Sequence, residues 1–143
     1  MLTKIDQKFM DMARKLAIAV EPIASSKISA VLTVKSNVIS IGHNERRTHP
    51  FQAKFSKNPD AIYLHAETSA ICNALKVISE EELQRATLYV HRVKRPDNDK
   101  TKWINGLACP CAGCQRAIVT FGIKKVVYST NTDEHEVWTR KNG

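Results

Sequence analysis

The chain has 143 residues, of which 43% are apolar and 25% charged. That fits one globular domain and excludes disorder over its whole length. No apolar run approaches the roughly 18 residues that span a bilayer, and the charged start MLTKIDQKFMDMARK has no signal-peptide core. A cytoplasmic setting without membrane contact is therefore expected, with the four cysteines read as thiols or metal ligands rather than disulfides. Lys and Arg number 22 against 14 Asp and Glu, a net charge of +8. Such a balance suits a polyanion or a phosphorylated small molecule. With aromatics at 6%, there is little material for a stacking platform along single-stranded nucleic acid, and a nucleic-acid partner is not expected.

Ile5, Phe9, Met12, Ala13, Leu16 and Ala17 recur at steps of three and four, which predicts a helix from about Ile5 to Val20, with Pro22 beyond its end. ISAVLTV (28–34) and NVISIG (37–42) are rich in β-branched residues and flank Lys35-Ser36, the pattern of a β-hairpin. Residues 43–60 are polar and basic, contain Pro50 and Pro59, and read as a long loop of the functional or disordered kind. Helical spacing returns from Ile62 to Val77. ATLYVHRV (86–93) is a strand, and residues 96–108 read as a second loop rich in turn formers. A helix from Cys111 to Phe121 follows, with Gly122 placed to end it. KKVVYST (124–130) is another strand, and Val137 and Trp138 suggest a last short element. A helix joining two strands makes those strands parallel, and alternation of this kind places helices against a sheet.

The chemistry is concentrated in four residues: His65 and Glu67 in His-Ala-Glu, and Cys111 and Cys114 in Pro-Cys-Ala-Gly-Cys. Two cysteines three apart at a helix start can both face one metal, and the helix terminus favours thiolate over thiol. One imidazole and two thiolates leave a tetrahedral zinc with an open fourth position, as catalytic sites require. Glu67, two residues beyond His65, can reach the open side and carry a proton between water and a substrate nitrogen. Two basic clusters accompany these residues. Arg46, Arg47, Lys54 and Lys57 form one, and Arg92, Lys94, Arg95, Lys100 and Lys102 the other.

His-x-Glu followed by Pro-Cys-x-x-Cys is the signature of the zinc deaminases, and in this order the chain resembles the cytidine and deoxycytidylate deaminase superfamily, most of all the deoxycytidylate deaminases. The resemblance covers most of residues 5–130, including Gly42-His43-Asn44. It implies a three-layer α/β fold, a single domain with a mixed five-stranded sheet and helices on both faces, the fifth strand scarcely supplied by residues 131–143. It also implies one catalytic Zn2+ per chain on His65, Cys111 and Cys114, with Glu67 as proton shuttle. Asn44 would hold the sugar, Ala66 and Pro110 would border the base, and Arg46 or Arg47 would hold the phosphate.

The reaction implied is conversion of dCMP to dUMP and ammonia, feeding thymidylate synthesis. A tRNA adenosine deaminase or a deaminase of another cytosine nucleotide are the alternatives. Allosteric dCTP and dTTP effectors with Mg2+, and a homo-oligomer from dimer to hexamer, also follow from the resemblance. The family's Gly-Tyr-Asn-Gly is Gly42-His43-Asn44-Glu45 here, a departure that touches effector binding. Cys72 reads as a small core residue, and Cys109 as a neighbour of the site rather than a fourth ligand, which would close the metal. His43, His49 and His91 read as loop or strand-end residues, and Trp103 as core or lid.

Overall fold

The computed structural model describes residues 2–19, 26–44, 65–95 and 102–140. The elements in chain order are α1 (Lys4–Ala19), β1 (Ser26–Val34), β2 (Asn37–His43), α2 (Ala66–Ala74), the single turn α3 (Glu80–Leu83), β3 (Ala86–Lys94), β4 (Ile104–Gly106), α4 (Ala112–Thr120), β5 (Lys125–Ser129) and β6 (His135–Thr139).

Thr3 and Asp6 start α1 as a capping pair. The Thr3 N–H donates to Asp6 Oδ2 at 3.1 Å and the Asp6 N–H to Thr3 Oγ1 at 3.0 Å, which satisfies two N–H groups that a helix start leaves over. The β1–β2 hairpin turns through Lys35 and Ser36, both at positive φ (51° and 65°), the paired left-handed geometry that matches strand twist. Gly122, at φ 69°, follows α4 and takes the left-handed position that closes a helix.

The strands lie in the order β2-β1-β3-β5-β6, with β4 added beside β3. Among the described strands only β3 and β5 are parallel. The sheet is mixed, as expected, but has six strands rather than five. The extra strand, Ile104–Gly106, falls inside the segment read as loop. Ser129 secures it: its Oγ donates to Gly106 O at 2.7 Å and accepts from Arg92 N at 3.0 Å. The tail forms β6, antiparallel to β5.

Side-chain alternation divides the core in two. Ala30, Leu32, Leu88, Val90 and Val126 face α2 and α4. Val31, Tyr89 and Val127 face the opposite way, against Phe9, Met10 and Ala13 of α1. Helices therefore cover both faces. Under α1, Asp6 accepts from Tyr89 Oη at 2.8 Å and pairs with Lys125 at 2.7 Å.

Candidate metal centre

Strand β2 and helix α2 meet closely. A Cβ on Gly42 would lie 2.5 Å from Ala66 O and 2.8 Å from Ser69 Cβ, so only glycine admits this approach. Ser40 Oγ donates to Ala70 O at 2.7 Å, and Asn73 Nδ2 to Ile41 O at 3.0 Å. The start of α2 is thereby held against β2. His65 occupies its N-cap in extended conformation without a capping side-chain bond. Its imidazole is free of that duty and turned to the cysteines instead.

Helix α4 supplies the other half. Cys111 is its N-cap, and Cys111 Sγ accepts from Cys114 N at 3.5 Å. Gln115 Nε2 donates to Pro110 O at 2.8 Å, and Ala108 N to Ser129 O at 2.9 Å. These bonds fix the approach to Cys111 from both sides. Gln115 was not singled out in the sequence; its position four residues after Cys111 is the only signal of that role.

His65 Nδ1 lies 3.4 Å from Cys111 Sγ and 3.3 Å from Cys114 Sγ. All three ligand atoms fall within 4.8 Å of one another, and no other such group of His, Cys, Asp or Glu occurs among the described residues. A tetrahedral zinc with ordinary bond lengths separates its N and S ligands by roughly 3.5 Å. The donor set and the spacing both fit zinc, with Nδ1 as the imidazole ligand. Cys109 is exposed and is not one of this group.

The electrostatics are those of a tight donor cluster. Hydrogen bonds from Cys114 and then His65 bring the Cys111 thiol down to about 3. The bond to Cys111, then burial, pushes the Cys114 thiol up, and the bond with Cys111 raises His65. Glu67 sits in the first turn of α2 and is 5% exposed. Burial raises its carboxyl above the usual range, against the opposing pull of its own backbone N–H and of His65.

The other expected site residues divide. Ala66 and Pro110 are buried beside the ligands. Asn44 follows β2 at the end of the sheet where α2 begins, and its Oδ1 accepts from Ile28 N at 3.0 Å, which leaves the amide NH2 as the group able to meet a ligand. Arg46 and Arg47, with Lys54, Lys57, His49 and Lys100, lie outside the described residues. Three readings are corrected. His91 is no strand-end residue: it is 1% exposed, edge-on to His135 at 5.9 Å between ring centres. Trp103 is not core: it is half-buried, with Lys27 Nζ and Arg95 Cζ each 4.6 Å from its ring centre. Cys72 is half-buried rather than part of the core.

Residues 3–130 match the family described as the cytidine and deoxycytidylate deaminase zinc-binding region, and the chain belongs to that family. It is accordingly a deaminase, with a zinc-binding domain. Among solved structures it is similar to a cytidine deaminase from Burkholderia pseudomallei, with TM-score 0.62 and 17% identity, over 96% of this chain and 93% of that one. It is also similar to the dCMP deaminase of the cyanophage S-TIM5. The apo form gives TM-score 0.58 and 22% identity over 93% and 88% of the two chains. The form in complex with dCMP and dUMP gives 0.56 and 19% over 90% and 82%. At these identities the likeness is one of fold. No curated protein matches the chain significantly. Among the described residues, no helix is long and apolar enough to cross a membrane.

Proposed function

We propose that the chain removes the exocyclic amine of dCMP by hydrolysis, yielding dUMP and ammonia. The observation that carries this reading is the convergence of His65, Cys111 and Cys114 on one point, with the buried Glu67 carboxyl in the adjoining turn. His65, Cys111 and Cys114 are the residues that hold zinc. A zinc ion held there supplies a water acidic enough to ionise near neutral pH. Glu67 accepts a proton from the attacking water and returns protons to the ring nitrogen and the departing amine. Burial suits it to both halves of that exchange, since it narrows the gap between the carboxyl's pKa and neutral pH. Asn44 offers its NH2 to the sugar, and Ala66 and Pro110 border the ring.

Preference for a nucleotide over a nucleoside is supported by the +8 net charge and by the basic residues that follow Asn44, Arg46 and Arg47, which are the candidates for the phosphate. The solved dCMP deaminase bound to dCMP and dUMP shares the fold. A cytidine deaminase shares it too, and the phosphate separates the two readings. The test is ammonia release from dCMP and from deoxycytidine by zinc-loaded protein, with Glu67→Ala as blank. Turnover of dCMP at least about tenfold faster in kcat/KM supports the proposal. Equal rates overturn the nucleotide preference. Silence on both, with one zinc bound per chain, moves the substrate to another base or to RNA.

A further inference from the structure

Strand β6 forms an outer edge of the sheet, paired with β5, and from Glu136 to Thr139 it is exposed. Its first residue, His135, differs. The side chain is half-buried and stands edge-on to His91 of β3, at 75° and 5.9 Å between ring centres. His91 is 1% exposed. Since β5 separates β3 from β6 in the sheet, the two imidazoles tie the edge strand to the centre. The turn that carries His135 is braced. Thr130 Oγ1 donates to Glu134 O at 2.7 Å and accepts from Thr132 N at 3.2 Å. Asn105 Nδ2 donates to Thr132 O at 3.1 Å, and Asn105 Oδ1 accepts from Arg14 Nε of α1 at 3.4 Å.

The pair suits neutral rings. His91 Nδ1 lies 3.2 Å from Arg92 O. A carbonyl only accepts, so Nδ1 carries the proton of the neutral ring and Nε2 is bare. A second proton there makes a buried cation that Arg14 opposes. His135 Nδ1 is buried, with no hydrogen-bond partner among the described residues, and a charged N–H in that position costs more than a lone pair. The charged groups bearing on the rings are Arg14 and Asp11 from α1 and Asp133 from the turn before β6. Lys27 of β1 is engaged with Ile18 O and Trp103. Arg92 alternates to the other face of β3, and β4 and β5 bring the uncharged Asn105 and Ser129.

We propose that His91 and His135 are an acid-released latch: neutral, they hold β6 against β3 and α1, and proton uptake frees β6 while the inner strands stay paired. Burial first, then His135 and Arg14, depress His91 to about 4, with Asp11 working against them. Burial likewise depresses His135, against Asp11 and Asp133. Each ring therefore binds a proton more readily once exposed. The latch is closed above the ordinary histidine value of about 6.5 and weakens as pH falls toward the folded values. An exposed edge strand is also the element that opens first, whereas β1 and β3 pair along their full length. The proposal does not depend on which substrate the metal centre takes.

The test is amide hydrogen exchange of the zinc-loaded chain, read by NMR between about pH 7.5 and 5.5, with each rate divided by that of the unstructured peptide at the same pH. Opening of β6 is expected to rise at least about tenfold across that range. Opening of β1 and β3, and the zinc content, are expected to stay constant. His91→Asn and His135→Gln each flatten the rise, and His135→Gln, at the half-buried end of the pair, carries the comparison if His91→Asn does not fold. Glu136, which accepts from Tyr128 Oη at 2.8 Å, is the other titrating tie on β6, so Glu136→Gln is the control and keeps the rise. A β6 that exchanges at constant relative rate overturns the proposal. So does an equal rise in β1 and β3, which is loosening of the whole chain, or a full rise in both histidine variants. Loss of the rise in Glu136→Gln moves the effect to that carboxylate and overturns it as well. Turnover is not the readout, so failure of the dCMP assay leaves the result intact.

Discussion

Replacing Gly42 with alanine tests how the metal centre is positioned. The new methyl carbon meets backbone atoms of α2 on arrival: Ala66 O at 2.5 Å, the Ala70 amide nitrogen closer still, and Ser69 Cβ at 2.8 Å. No side-chain rotation relieves a clash with backbone. Helix α2 must move off β2, which strains the bonds from Ser40 and Asn73 and displaces His65 and Glu67. Overpacking of this kind costs about 1–3 kcal/mol, and the fixed backbone puts Gly42→Ala at the upper end. For a chain of this length the unfolding entropy is roughly 0.3 kcal/mol/K, so each kcal/mol lowers Tm by roughly 3 °C.

The expected drop is therefore about 10 °C, read by thermal unfolding of the zinc-loaded protein, with weaker zinc retention against a chelator. Gly106→Ala is the control. The nearest atoms to its Cβ belong to the Arg92 side chain alone, Cγ and Cδ at 3.1 Å and Nε at 3.5 Å, and a flexible side chain yields more cheaply than backbone, for less than about 1 kcal/mol. A Gly42→Ala protein that melts within about 2 °C of the parent, with zinc retention intact, refutes the claim that the close approach of β2 holds the site.

Glu67→Gln keeps the shape but removes the carboxyl proposed to carry protons; kcat for ammonia release is expected to fall by about 10²–10⁴, with zinc stoichiometry unchanged by metal analysis. For Asp6→Ala, loss of the cap and of the bonds from Tyr89 and Lys125 is expected to cost about 2–3 kcal/mol, tempered by the partial exposure of Lys125, in urea unfolding. Burial alone would raise Asp6, but the bonds from Lys125, Tyr89 and Thr3 outweigh it and hold its carboxyl below the ordinary value. This contribution is present above the unfolded carboxylate pKa and fades as pH falls through the folded one. His91 behaves alike in sign. Burial first, then His135 and Arg14, depress it to about 4, so the folded state holds it neutral while the unfolded chain takes up a proton. Stability is expected to fall between about pH 6.5 and 4 by up to about 3 kcal/mol. His91→Asn should flatten the urea midpoint over that interval, and an unchanged slope would count against the buried imidazole.

Much of the frame was legible because it is written in periodic patterns. The 3.6-residue spacing of Phe9, Ala13 and Ala17 gave α1, and β-branched runs gave the hairpin and β3. The candidate metal group was legible because its spacing is local chemistry: His65 and Glu67 stand two apart at the start of α2, and Cys111 and Cys114 three apart at the start of α4. The strand Ile104–Gly106 was not legible, since three residues carry no period and depend on Ser129, 23 residues further on. His91 misled because its strand looked finished at Val93, whereas α1 covers that end of β3 and buries the ring. Trp103 had no readable partner in the sequence, because Lys27 and Arg95 reach it from two different strand ends. The number of strands was short by one for the same reason: residues 104–106 pair through tertiary register rather than propensity.

The three proposed metal ligands also imply an order of events in folding. Cys111 and Cys114 are neighbours in any conformation, but His65 stands 46 and 49 residues away from them. A loop of that length closes at an entropic cost that only the assembled sheet repays. In the unfolded chain, a metal finds a two-thiolate clip and little else. The full donor set exists once β2 has docked α2 and β5 has paired with β3. On the proposed ligation zinc capture is thus a late step, made by a frame whose two apolar clusters include none of His65, Cys111 and Cys114. Chelation should empty the site and leave the folded chain standing, unlike small zinc modules, whose folding and metal uptake are one transition.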